Sequence, residues 1–219
     1  MVPRSATRLL DDPDGGTQMT EAAPVGRREK NKQQTRDRLL TAARDLLATR
    51  GTDATVEEIA ERAEVSRATF FNYFPSKDDL VTALYAELMS VFGRVVDSML
   101  RRPVSTHDRV VGVFIDFAQS SLSDPDYMRV VTGEIERLAT ASEGLGERSH
   151  LFTAQVRRLI EPGLEQGDVR TDHPVEFLAQ MVAAIYLSTM RYWRIDPDLD
   201  ITETFERAGR YAAESIVPR

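Results

Sequence analysis

The sequence contains no cysteine in its 219 residues. That excludes disulfides, thiolate nucleophiles and cysteine-ligated zinc, and it fits a reducing, cytoplasmic setting without requiring one. Long apolar runs are missing as well. The best candidate, residues 177–187, contains Gln180 and falls short of the ~20 residues that span a bilayer, so no membrane partner is expected. The first residues lack the apolar stretch of a secretory signal, because Arg4, Arg8, Asp11 and Asp12 interrupt it. Gly-rich phosphate loops, internal repeats and convincing strand alternation are all absent. His107, His150 and His173 are scattered without metal-ligand spacing, and Ser120, Ser121 and Ser188 have no base paired with them in sequence. Catalysis, a metal and a cofactor therefore find no support, and the chain reads as a non-enzyme.

What is present begins with an ordinary globular composition. Hydrophobic residues make up 42% and charged residues 29%, and the length allows one or two domains with a sizeable core. The net charge of −7 argues against a polyanion partner until its distribution is examined. Residues 26–77 carry eleven Lys and Arg against eight Asp and Glu, so the remainder of the chain holds all of the acidic excess. The basic end is sharpest where Arg27, Arg28, Lys30, Lys32, Arg36 and Arg38 face only Glu29 and Asp37. A polyanion is attracted to one end only. A solvated basic helix start accounts for the same charges.

The periodicity is helical from Arg28 onward, and the fold class is all-α with about nine helices. Residues 1–26, with Pro3, Gly15, Gly16 and Pro24, read as a disordered tail, and Met19 offers a second start. Leu39, Leu40, Ala43, Leu46 and Leu47 mark a first helix ending near Gly51. Thr55 followed by Glu58 is a capping box ahead of Val56, Ile59, Ala60 and Ala63. Ser66 caps the next helix, which carries Phe70, Phe71 and Phe74. Pro75 and Ser76 stop it, and Ser76 with Asp78 and Asp79 opens a long helix to about Leu100. Further helices are predicted over 106–123, 126–138, 151–166 with an interruption near Pro162 and Gly163, 174–195, and 202–217. Gly144 and Gly146 mark a loop.

Residues 55–80 form a helix-turn-helix, in which the second helix lies in a major groove while the first braces it. Ile59, Ala60, Phe70 and Phe74 face inward, and Val65 tucks under the turn. Arg67, Ala68, Phe71 and Asn72 face outward. Arg67 suits guanine, Asn72 suits adenine, and Phe71 suits a thymine methyl. Thr69, Tyr73 and Lys77 carry donors suited to phosphates, and Thr55 sits at a helix N-terminus where amides favour an anion. The same residues also describe a plain helical hairpin inside an all-α core.

Residues 35–84 resemble the N-terminal domain of the TetR family of bacterial transcriptional regulators. The matching marks are Ala42, Ala43 and Leu46, then Gly51, Thr55, Val56, Ile59 and Ala60. They continue with Val65, Ser66, Thr69, the run Phe70-Phe71-Asn72-Tyr73-Phe74, and Lys77 with Leu80. The resemblance implies a homodimer reading a palindromic double-stranded DNA operator, usually a repressor released by a small-molecule effector. It places Arg67, Ala68, Phe71 and Asn72 where the family reads bases, and Thr55, Thr69, Tyr73 and Lys77 where it holds phosphates. Many members have tyrosine where this chain has Phe71, so a contact there is apolar only. Arg27, Arg28, Lys30 and Lys32 resemble the basic arm that some members lay beside the minor groove. An activator or architectural protein of the same fold without an effector is the alternative, as is an all-α enzyme or binding module with an incidental hairpin.

Beyond Leu84 the resemblance fades, and the expected division is a tail (1–26), a helix-turn-helix domain (27–80) and a ligand-binding and dimerisation domain (81–219). The helices over 174–195 and 202–217 are the expected homodimer interface, forming a four-helix bundle across a two-fold axis. A cavity between helices is the default site for an unknown small molecule. Its candidate linings are Met89, Phe92, Phe114, Phe117, Met128, Phe152, Tyr186, Met190 and Trp193, residues that equally describe plain core. Tyr186, Tyr192 and Trp193 would add a polar handle for a largely hydrophobic effector. Glu134 and Glu136 could meet a cationic ligand, but they are expected on the surface. The helix over 78–100 spans both zones, so its tilt would change the spacing of the two recognition helices.

Overall fold

A computed structural model describes residues 26–141 and 145–218 of the chain. The tail assigned to residues 1–26 lies outside the described residues except for Gly26, and Gly144 lies outside them too. The described chain is helical throughout. Its elements are α1 (Arg27–Arg50), a 3-10 turn (Gly51–Asp53), α2 (Val56–Arg62), α3 (Arg67–Tyr73), α4 (Lys77–Leu100) and α5 (Thr106–Ser121). They continue as α6 (Pro125–Ala141), α7 (Leu145–Ile160), the one-turn α8 (Pro162–Gln166), α9 (Val175–Ile195) and α10 (Ile201–Glu214). With α8 a short sequel to α7 across the break at Glu161, this matches the helix count read from periodicity.

Local chemistry accounts for most boundaries. Thr55, Ser66, Ser76, Ser105 and Asp200 each accept a hydrogen bond from the backbone N–H three residues on, which satisfies a donor the helix start would otherwise leave bare. At Thr55 the exchange is reciprocal, because the Glu58 carboxylate accepts from the Thr55 N–H at 2.9 Å. One helix is slightly longer than expected, and one expectation fails. The helix predicted over 126–138 runs from Pro125 to Ala141, with Pro125 at the first position where its missing N–H costs nothing. Gly146 lies inside α7 rather than in a loop, since the helix already begins at Leu145.

Two hydrophobic cores organise the helices. The first gathers Leu39, Leu40, Ala43 and Leu47 of α1, Ile59 and Ala60 of α2, Phe70 and Phe74 around α3, and Leu80 and Leu84 of α4. It also takes Tyr127 and Val131 from α6, a long-range contribution that no local pattern announces. The second joins Phe92 and Val96 of α4 to α5, α7, α9 and α10. Within it α10 lies close against α5, and Gly209 makes that approach possible: a Cβ there would stand 2.9 Å from the Phe114 Cβ. α4 contributes buried side chains to both cores along its own length, with Leu80, Ala83 and Leu84 at one end and Phe92 and Val96 at the other.

Polar ties reinforce the junction between the cores. Arg44 of α1 pairs with Glu87 of α4. Arg137 of α6 bonds Asp78 in the first turn of α4 at 2.7 Å. Glu134, expected on the surface, is buried beside Arg137 with a 3.0 Å ion pair, because α6 turns that face inward. Among the described residues no helix is long and apolar enough to cross a membrane.

Candidate nucleic-acid interface and ligand cavity

The helix-turn-helix is built from two one-face helices and a tight reversal. Ile59 and Ala60 of α2 and Phe70 of α3 are buried against α1, with Phe70 and Phe74 rings 5.9 Å apart. The reversal has a feature the sequence does not advertise. Glu64 adopts φ 55°, and the Val65 N–H donates to the Ala60 carbonyl at 2.9 Å, which closes the end of α2 with a left-handed residue. Glycine is the usual residue for such a cap, so the left-handed conformation at Glu64 is not signalled by the residue that adopts it. Val65 is half-buried and packs on the first core, as expected.

This packing leaves one face of α3 open. Arg67, Ala68, Phe71 and Asn72 are all exposed, and Phe71 shows 39% of its surface even though its ring meets Phe70 edge-on at 5.4 Å. Arg67 is held in place by two neighbours. Its Nε forms an ion pair with the Glu57 carboxylate at 2.8 Å, and its guanidinium lies 5.4 Å from the centre of the Phe71 ring. Glu57 escaped sequence reasoning. Its meeting with Arg67 depends on the angle between two helices, which no spacing rule encodes.

The four residues expected to hold phosphates flank this face. Thr55 is exposed at the start of α2, with its hydroxyl accepting from the Glu58 N–H at 3.3 Å. Glu58 sits below the usual carboxylate range, chiefly because it accepts from the Thr55 backbone N–H. Thr69 shares a 2.8 Å hydroxyl contact with Ser66. Tyr73 is half-buried, and Lys77 Nζ donates to the Thr52 carbonyl at 2.7 Å, which ties the start of α4 to the loop before α2. The basic arm is helical: Arg27, Arg28, Lys30 and Lys32 occupy the first turns of α1 and are exposed. Further along, Arg36 lies 5.5 Å from the Phe74 ring.

In the second core a cavity of about 360 Å³ opens between α4, α5, α6, α7 and α9. Seven of the nine candidate linings border it: Met89, Phe92, Phe117, Met128, Phe152, Tyr186 and Met190. Phe114 and Trp193 do not. Phe114 is packed behind Tyr186, with ring centres 5.0 Å apart, and Trp193 is buried under Arg129 at 4.5 Å. The polar handle shrinks accordingly to Tyr186, since Tyr192 faces outward with 61% of its surface exposed. Tyr186 is a hub whose ring also lies within 6.1 Å of those of Phe92, Phe117, Phe152 and Phe205. Burial drives its phenol well above the usual range, and the charge of Asp116 adds to the rise. Asp116 and Thr132 are linings that sequence reasoning passed over, and Glu136 joins them instead of sitting on the surface. Asp116 stands in a helix whose pattern reads as amphipathic, so its place on the inner side of the stripe was legible only weakly.

A larger open groove of about 940 Å³ runs along the outer surfaces of α9 and α10, bordered by Phe177, Met181, Ile185, Tyr192, Ala208 and Tyr211. Phe177, Met181, Tyr192 and Tyr211 are all exposed. Among the described residues no group of three or more His, Asp or Glu could hold a metal ion.

A helix-turn-helix with an open second helix, mounted on a separate helical body with its own cavity, defines the class of helix-turn-helix transcriptional regulators. The sequence model described as bacterial regulatory proteins, tetR family, matches residues 39–84. The chain is 25% identical to the HTH-type transcriptional regulator TcmR of Streptomyces glaucescens over 222 residues, covering 95% of each protein. In fold it is similar to the crystal structure of Thermus thermophilus FadR, a TetR-family repressor in complex with lauroyl-CoA, with a TM-score of 0.68, 25% identity, and 84% of this chain and 96% of that one covered. The SmeT–triclosan complex shares the fold at a TM-score of 0.67 and 20% identity, with 84% of this chain and 92% of that one covered. Residues 39–84 are thus the DNA-binding domain of a TetR-like regulator of transcription, and the chain resembles such a regulator over nearly its whole length.

Proposed function

We propose that the protein is a cytoplasmic repressor that binds a palindromic operator as a homodimer and leaves it when a small, largely hydrophobic molecule enters the cavity. The observation that carries this reading is the course of α4. The helix starts at Lys77, beside the exposed face of α3, and its later turns supply Met89 and Phe92 to the cavity wall. A ligand that moves that wall tilts a rigid rod whose other end is anchored in the first core, and in a two-fold dimer such a tilt changes the separation of the two α3 helices. α6 offers a parallel link, because Thr132 and Glu136 border the cavity while Arg137 on the same helix bonds Asp78.

In this reading Arg67, Ala68, Phe71 and Asn72 read bases. Thr55, Thr69, Tyr73 and Lys77 hold phosphates, and the exposed Arg27, Arg28, Lys30 and Lys32 add attraction along the flanking duplex. The division near residue 80 is then a functional one, since α4 is shared. The groove on α9 and α10 supports the dimer: its exposed apolar side chains continue from one helix to the other, as expected of a face that packs on its two-fold mate. The cavity's aromatic wall fits an apolar body.

The test is a mobility-shift titration with DNA from upstream of the protein's own gene, paired with light scattering to count protomers per complex. A specific complex holding an even number of protomers, dissociated by at least one member of a panel of hydrophobic metabolites, is the expected result. A specific complex that no effector dissociates would favour an activator or architectural role instead, and the absence of any specific complex at moderate salt would refute the assignment of α3.

A further inference from the structure

The cavity wall carries charge of one sign. Among its described lining residues there is no lysine, arginine or histidine, but there are two acids, Asp116 and Glu136. Glu136 is spoken for, since Arg194 and Arg191 both pair with it from α9. The threonine hydroxyls are occupied too: Thr132 donates to the Met128 carbonyl at 2.6 Å and Thr140 to the Arg137 carbonyl at 2.9 Å. Asp116 differs from all of these. Its carboxylate borders the cavity and has no hydrogen bond or ion pair among the described residues, and the rings of Phe92, Phe117, Phe152 and Tyr186 border the same space.

An unpaired carboxylate facing an apolar space is costly unless something meets its charge. A neutral hydrophobe would fill the space and desolvate the carboxylate further. An anion placed inside would meet Asp116 with no cation among the described lining residues to hold it. A positive centre gains twice, from the carboxylate and from the negative faces of the surrounding rings. Resting on the reading of this cavity as the effector site, we propose that the effector is a lipophilic monocation whose charge sits against Asp116 and whose hydrocarbon body fills the space between Phe92, Phe117, Phe152 and Met190.

Tetraphenylphosphonium and tetraphenylborate test this with two ions of nearly the same size and shape and opposite charge. Calorimetry on the full chain gives the affinities. Quenching of Trp193, the one tryptophan, reports location, because its ring lies 6.1 Å from that of the cavity residue Phe117. The cation should bind at least about tenfold more tightly than the anion, and Asp116→Asn should bring the two within about threefold of each other. Asp116→Glu should keep the preference, and circular dichroism and DNA binding without ligand should match the parent for both variants. Equal or tighter binding of the anion, or a preference that survives Asp116→Asn, overturns the inference. The neutral dye N-phenyl-1-naphthylamine separates this from the site itself. If the dye binds and Ala139→Phe blocks it, the cavity stands whatever the ions do. If the dye does not enter, the effector site fails and the inference fails with it.

Discussion

Glu57 holds the side chain that is best placed to read a base, so replacing Glu57 with alanine should tighten DNA binding. The Arg67 Nε reaches Glu57 at 2.8 Å, but both side chains are more than half exposed, at 66% and 58%. An exposed pair of this kind is worth roughly 0.2–1 kcal/mol, and the Phe71 ring beneath the guanidinium adds about 0.5–1 kcal/mol. A bidentate contact of Arg67 to guanine is worth about 1–3 kcal/mol, so the contact outweighs the pair that must break to make it. Arg67→Ala should therefore weaken operator binding by about 5- to 150-fold while leaving random DNA nearly unaffected. Glu57→Ala should strengthen operator binding by about 1.5- to 5-fold, because the guanidinium is then free before DNA arrives. Both effects are read by fluorescence anisotropy with labelled operator and a scrambled control at fixed salt. The decisive variant is the double one. If Glu57 acts by holding Arg67, its removal should gain nothing once Arg67 is alanine. An equal gain in both backgrounds would refute the reasoning, showing that Glu57 acts only as a general negative charge near the duplex.

Three further outcomes follow from the packing and charges. Lys77→Ala should weaken binding to all sequences alike and lower the slope of log affinity against log salt by about one, measured by the same anisotropy titrations. Burial holds the Asp116 carboxyl above the usual carboxylate range, so its contribution favours folding below the unfolded pKa and is lost as pH rises through the higher folded value. Asp116→Asn should thus stabilise the fold at neutral pH by less than about 1 kcal/mol, since the carboxylate is partly hydrated, with the gain vanishing below about pH 4 in calorimetric scans. Gly209→Val should destabilise the second core by about 1–3 kcal/mol in urea titrations, because the added carbon meets the Phe114 side chain where α10 crosses α5.

Much of the DNA-facing end could be read from the sequence, because its signals are local. A capping box at Thr55 and Glu58, a cap at Ser66 and a second at Ser76 fix where three helices start, and each acts within four residues. The spacing of Phe70 and Phe74 sets the buried side of α3 and therefore the exposed side. The body was legible as helices but not as a site. Phe114 and Trp193 look like their neighbours in a list of large apolar residues, yet one is packed behind Tyr186 and the other under Arg129. Which face of a long amphipathic helix meets a void and which meets another helix is set by crossing angles and by partners far away in the chain.

The residue pattern by itself therefore determined an all-α chain with a helix-turn-helix at its basic end and the four side chains that α3 turns outward. These follow from backbone capping and a 3.6-residue period, which act at short range. Only the tertiary structure decided that Glu57 restrains Arg67, that Tyr127 and Val131 of α6 complete the first core, and that Asp116 borders the cavity without a partner among the described residues while Glu136 pairs with Arg191 and Arg194. Each of those facts joins residues on different helices. Charge and contact depend on distance in space, and separation along the chain does not encode it.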